Sequence, residues 1–225
     1  MGEKFKEYKV CFLGEAGVGK TSILSKYIRG RIDMDVCATI GASFQVCKMN
    51  NAHGEQIKLM IWDTAGQERY RSMIQIYTRG CRIFIIVYDL SEQSSFEAIK
   101  KFWLDYASKN ISKDEENCLF FIVGNKSDLV YDHELLLKRL NEGYQYVKSL
   151  QDQYNVRYFH TSAKTGTSIS DLFTEIVQYI DICEIKPSVE YKSLLDDNLN
   201  RNTSANDQEG WGTYLYNQAW KCNLL

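Results

Sequence analysis

The sequence has almost no proline, no polybasic block, no long apolar run and no paired-cysteine spacing, and each absence closes off a class of function. The single proline, Pro187, stands where the chain changes character. No apolar run approaches the roughly 18 residues that span a bilayer. The first residues, Met1-Gly2-Glu3-Lys4-Phe5-Lys6, lack the hydrophobic core of a secretory signal. Lys6 occupies the place where a myristoylation signal carries Ser or Thr, so Gly2 is not read as an acylation site. With 27 basic and 29 acidic side chains the net charge is −2, which gives no reason to expect nucleic-acid binding. The seven cysteines are odd in number and show no metal-ligand spacing, which suggests reduced thiols in the cytosol. No internal repeat is apparent.

What remains is ordinary globular material: 225 residues, 44% hydrophobic and 25% charged, enough for one α/β domain with an appendage. Residues 8–13 read as a buried strand, and Ser22–Arg29 as a helix with Ile23, Leu24, Tyr27 and Ile28 inward. Residues 30–42 lose periodicity and read as a loop. Ser43–Met49 and Gln56–Trp62 alternate around Asn50-Asn51-Ala52-His53-Gly54-Glu55, a hairpin signature. A loop and helix run from Asp63 to about Thr78. Arg82–Asp89 and Cys118–Gly124 are nearly continuous apolar runs, as in central parallel strands buried on both faces. Helical spacing marks Ser94–Asn110, His133–Tyr154 and Ser168–Cys183, with a last strand at Val156–His160. Such alternation implies an α/β domain with right-handed crossovers. Residues 187–221 have no sustained period and read as a tail, carrying Trp211, Tyr214, Tyr216 and Trp220.

The first chemical motif is Gly14-Glu15-Ala16-Gly17-Val18-Gly19-Lys20-Thr21, between the apolar run Val10-Cys11-Phe12-Leu13 and a helix. Three glycines let the backbone curl, so that N–H groups of Glu15, Ala16, Gly17, Val18, Gly19, Lys20, Thr21 and Ser22 face one phosphate. The helix start adds its favourable dipole. Lys20 would reach the β- and γ-phosphates, and the Thr21 hydroxyl would ligate Mg²⁺. Asp63-Thr64-Ala65-Gly66-Gln67-Glu68 follows on its own strand. A carboxylate there suits Mg²⁺, Gly66 lets its N–H approach the γ-phosphate, and Gln67 could orient an attacking water.

Asn125-Lys126-Ser127-Asp128 directly follows a buried strand. Asp128 can accept both guanine N1–H and N2–H, Asn125 can contact the base edge and tie loops together, and the Lys126 stem can lie along the base. Thr161-Ser162-Ala163-Lys164 follows the last strand and offers a backbone N–H, at Ala163, to the guanine oxygen, with Ser162 and Lys164 beside it.

In this order the four motifs resemble those of a Ras-superfamily small GTPase over about residues 6–183. Ile40-Gly41-Ala42-Ser43-Phe44, Lys58 through Tyr70, Tyr77-Thr78-Arg79-Gly80 and Val87-Tyr88-Asp89 are similar to the stretches that mark Rab proteins. The resemblance implies a P-loop GTPase fold over 1–186: a six-stranded, mostly parallel sheet with one antiparallel edge strand and helices on both faces. It implies GTP/GDP and Mg²⁺ as ligands, slow intrinsic hydrolysis with Lys20 and Gln67 as catalytic side chains, and Thr21, Thr39 and Asp63 at the metal. Two loops, about 31–44 and 64–78, would tighten on the γ-phosphate. Phe44, Trp62 and Tyr77 resemble the aromatic triad that meets effectors; taken as residues alone, they read as core.

Some residues depart from that pattern. Ile32 stands where the family stacks a phenylalanine on guanine, which loses about 1 kcal/mol of ring contact. Ala16 sits where a side chain can crowd the γ-phosphate, Ala42-Ser43 replaces Val-Asp, Thr78 replaces a tyrosine, and 129–155 is several residues long. The flexible tail 187–225 ends in Cys222-Asn223-Leu224-Leu225, a box for geranylgeranylation of Cys222 without a polybasic second signal. The expectation is a monomeric Rab-like switch with effectors, an exchange factor, a GTPase-activating protein and a prenyl-binding carrier, reversibly attached to the cytosolic face of intracellular membranes. A nucleotide-bound module without turnover and a Ras- or Rho-like signalling GTPase are the alternatives.

Overall fold

The computed structural model describes residues 6–32, 38–51, 53–109, 111 and 118–185. The expected tail 187–225, its aromatic residues and Cys222 lie outside the described residues. Two compact units divide the chain, Met1–Gln178 and Tyr179–Leu225, and the sheet belongs to the first.

Six strands form one sheet in the order β2-β3-β1-β4-β5-β6. They are β1 (Lys6–Leu13), β2 (Ala42–Asn50), β3 (Gln56–Thr64), β4 (Ile83–Asp89), β5 (Leu119–Asn125) and β6 (Asn155–His160). Only the β2–β3 hairpin pairs antiparallel, which places the antiparallel strand at the edge as expected. Every residue of β4 and β5 is buried. Phe84, Ile86, Tyr88, Phe120 and Ile122 point to one face, into a core shared with Ile74, Phe96, Trp103, Leu140 and Val147 of the helices. Ile85, Val87, Phe121 and Val123 alternate to the other face and are equally buried. There α1 (Lys20–Arg29) buries Ile23 and Leu24, and its Tyr27 stacks on Phe173 of α6 (Ile169–Ile185) with ring centroids 3.7 Å apart. Helices therefore cover both faces.

Several elements differ from the sequence reading in their bounds or exposure, the helix read over His133–Tyr154 among them, which ends at Leu150. Helix α1 begins at Lys20, two residues early, because left-handed Gly19 (φ 100°) turns the loop directly into the helix. Ile28 is 42% exposed rather than inward: at 100° per residue it lies about 90° from the centre of the Ile23–Leu24–Tyr27 stripe. The helix over 94–110 is α3 (Gln93–Ala98) and α4 (Leu104–Lys109) joined by a π-helical turn, Ile99–Trp103. The extra residue in that turn re-aims the side chains that follow, and Trp103 ends fully buried. Helix α5 (His133–Leu150) is capped by Asp132, whose Oδ1 accepts from Glu134 and Leu135 N–H at 2.9 and 3.1 Å. Its Gly143 leaves room for a partly buried pair, Tyr88 OH and Tyr158 OH at 2.9 Å, since a Cβ there would lie 2.4 Å from the Tyr158 ring. That pair supports the end of β5, where the base-side motif starts. Cys11, Cys47, Cys81 and Cys118 are buried thiols, and burial pushes the Cys11 thiol up to about 12.

Candidate functional site

The loop after β1 wraps the start of α1. At Gly19 a Cβ would sit 2.2 Å from the Asn125 side-chain nitrogen, so the phosphate-side loop and the base-side loop touch where only glycine fits. Lys20 is 5% exposed, and its Nζ donates to the Gly14 and Glu15 carbonyls at 2.8 and 2.7 Å. Burial pulls its pKa from 10.5 down to about 8, against the opposing pull of Asp63 and Glu15.

Three oxygen side chains meet beside it. Thr21 Oγ1 donates to Asp63 Oδ2 at 2.6 Å and lies 3.0 Å from Thr39 Oγ1. The other Asp63 oxygen, Oδ1, is buried without a hydrogen-bond partner among the described residues. Burial raises the Asp63 carboxyl, while the Thr21 hydroxyl and the Lys20 charge lower it. This all-oxygen cluster is of the kind that hard divalent cations prefer.

A cavity of about 350 Å³ opens over the cluster, lined by Ala16, Gly17, Gly19, Lys20, Thr21, Ser22, Ala38, Thr39, Thr64, Gly66 and Gln67. The structure thus places the phosphate loop, Thr39 and residues of the Asp63–Gln67 stretch beside one another. Gly66 is pressed onto the loop: a Cβ there would lie 2.3 Å from the Glu15 carbonyl carbon. Thr64, which sequence reasoning passed over, ties β3 to β1 by donating from Oγ1 to the Phe12 carbonyl at 2.6 Å.

The base-side residues line a different surface. Asn125 is 1% exposed; its Nδ2 donates to the Val18 carbonyl at 2.9 Å, and its Oδ1 accepts from Thr161 Oγ1 and Ala163 N–H, both at 3.1 Å. Asn125 is therefore the knot between three loops. The Ala163 N–H, the donor expected at the guanine oxygen, lies in the same loop and donates to Asn125 Oδ1. Asp128 Oδ1 accepts from the buried Ser162 hydroxyl at 2.5 Å, which fixes its carboxylate. Lys126 adopts a left-handed backbone (φ 64°), and its Nζ pairs with Asp89 Oδ2 at 2.7 Å. Asp89 in turn accepts from Ser91 N–H and Oγ. Its position, a carboxylate ending a buried strand, is the same signal that marked Asp63. Lys164 is exposed, and Ile32 is half-buried just past α1; neither lines the cavity.

On the far edge of the sheet Phe44, Trp62 and Tyr77 form a contiguous cluster, with centroids 4.9 and 5.1 Å apart. Phe44 is 46% exposed, while Trp62 and Tyr77 are half-buried and Trp62 packs against the core, so the cluster joins the core to the surface.

A model of the Ras family matches residues 9–182. Over 175 residues the chain is 39% identical to the Ras-related protein Rab-31 of Rattus norvegicus and to that of Homo sapiens, spanning 78% of this chain and 84% of each relative. It is 29% identical over 204 residues to the Ras-related protein RabC of Dictyostelium discoideum, spanning 90% of this chain and 96% of that one. With the phosphate loop, the strand-end carboxylate and the base-side motif all in their places on the sheet, the chain belongs to the Ras family, among the Rab small GTPases.

Proposed function

We propose that this GTPase works as a Mg²⁺-dependent switch in membrane trafficking, with the oxygen cluster of Thr21, Thr39 and Asp63 as its metal site. The observation that carries this reading is the orphaned, buried Asp63 Oδ1 beside two threonine hydroxyls at the floor of the cavity. Mg²⁺ held by these three side chains would supply positive charge against the nucleotide phosphates.

The remaining work falls to the chain. Loop N–H groups from Glu15 to Ser22 hold the phosphates, and Lys20 opposes their charge from below. Asp128, held by Ser162, selects guanine through its two N–H donors, while Asn125 and Lys126 keep the base-side loop in place. Gln67, on the cavity wall, orients the water that attacks the γ-phosphate. Thr39 and Gly66 report the γ-phosphate to their loops. Effectors then read the Phe44–Trp62–Tyr77 surface, and an exchange factor and a GTPase-activating protein set the state. Geranylgeranylation of Cys222 would attach the monomeric chain to the cytosolic face of an intracellular membrane, from which a prenyl-binding carrier extracts it.

The test is single-turnover hydrolysis of preloaded GTP. Gln67→Leu is expected to slow hydrolysis by about tenfold while leaving GDP affinity within about twofold of the parent. Equal rates in the two proteins would remove Gln67 from the mechanism.

A further inference from the structure

We infer that the Glu15 side chain is a positioning residue for GTP hydrolysis: through Arg71 and Trp103 it fastens the start of α2 (Arg71–Thr78) to the phosphate loop and so holds Gln67 at the cavity. One oxygen, Glu15 Oε1, accepts from Arg71 Nη2 at 3.0 Å and from Trp103 Nε1 at 2.9 Å. Trp103 is fully buried and set in place by the π-helical turn, so its N–H is a fixed donor that orients the carboxylate. The Arg71 guanidinium lies over the Phe102 ring at 4.4 Å and near the Trp103 ring at 5.5 Å, which confines its plane.

Gln67 sits between two attachments to the same loop residue. On its N-terminal side, the Gly66 backbone abuts Glu15 so closely that a Cβ would lie 2.3 Å from the Glu15 carbonyl carbon. On its C-terminal side, one short 3₁₀ turn (Glu68–Tyr70) leads to Arg71 and its ion pair. The Gln67 side chain makes no capping bond to that turn, so its placement depends on where the flanking backbone is held. Arg71 and Glu15 are each about one-third exposed, and a pair so solvated adds little to stability. Its effect is on geometry, and small displacements of a water-orienting group are costly in rate.

This inference rests on the reading of Gln67 as the water-orienting side chain, and the experiment separates the two. Full-length chain preloaded with GTP is followed in single turnover for Glu15→Gln, Arg71→Ala and the double variant, each alone and with Gln67→Leu. Glu15→Gln keeps an acceptor for Trp103 but loses the charge facing Arg71. Each single variant is expected to slow hydrolysis about fivefold, and the double no further than the slower single. Arg71→Lys recovers part of the loss, GDP release and thermal midpoint of the Arg71 variants stay near the parent values, and with Gln67→Leu present neither change slows hydrolysis further. Unchanged single-variant rates, multiplying effects in the double, or the same slowing on top of Gln67→Leu would overturn the inference. If Gln67→Leu alone hydrolyses at the parent rate, the role of Gln67 falls, and the positioning role falls with it.

Discussion

Truncating Lys20 to alanine is expected to weaken guanine-nucleotide binding by about a hundredfold. The ammonium is almost wholly buried at the floor of the cavity, where it holds the carbonyls of Gly14 and Glu15. Burial brings its pKa down to about 8, so in the free site the positive charge is only partly compensated by Asp63 and Glu15. An anionic phosphate completes that compensation and restores the ammonium, which makes binding and protonation mutually reinforcing. A hydrogen bond between charged groups contributes roughly 1.5–3 kcal/mol, and the two loop carbonyls left without their donor add to the loss. Equilibrium titration with a fluorescent GDP measures it. An affinity within about threefold of the parent would mean that the loop N–H groups alone hold the phosphates.

Asn125→Ala is expected to accelerate GDP release by about a hundredfold, by a different route. Asn125 does not reach into the cavity. It joins the phosphate loop at Val18 to the loop carrying Ala163 and to Thr161 at the end of β6, with three hydrogen bonds at 1% exposure. Removing it leaves a carbonyl, a hydroxyl and an N–H buried without partners, at roughly 1 kcal/mol or more each. The phosphate and base halves of the site then move independently, which loosens both GDP and GTP. Stopped-flow release of a fluorescent GDP, with circular dichroism to confirm the fold, distinguishes the outcomes. Release within about threefold of the parent would mean that the three loops are held by packing rather than by this side chain.

Much of this site was legible because its signals are local. The phosphate loop is one uninterrupted stretch between a strand and a helix; Asp63 stands directly after an alternating strand, and Asn125 directly after an apolar run whose burial on both faces the sequence already displays. The hairpin followed from alternation around Asn50–Glu55, and the edge position of its first strand from the family resemblance. What escaped is non-local or backbone-level. The π-helical turn at Ile99–Trp103 changes the count of residues per turn without changing the apolar spacing that announces a helix. Glu15, Arg71 and Trp103 are far apart in the chain, and nothing in any of the three stretches marks them as partners. The contact of the Ala163 N–H with the Asn125 side chain joins loops 38 residues apart, which no local signal announces. Phe44, Trp62 and Tyr77 read as core by composition; Trp62 does pack partly against the core, while Phe44 is exposed because β2 is an edge strand with one side toward solvent.

The most direct test of the central claim is the nucleotide that the protein carries. Full-length chain purified in Mg²⁺ is denatured and the released nucleotide identified by chromatography. Near-stoichiometric guanine nucleotide, predominantly GDP, is the predicted result: it reports base selection through Asp128 and turnover at Gln67 together. Adenine nucleotide, or a folded chain with none, would contradict the account, because the loops tied by Asn125 and the charge of Lys20 would then not form a guanine-nucleotide site.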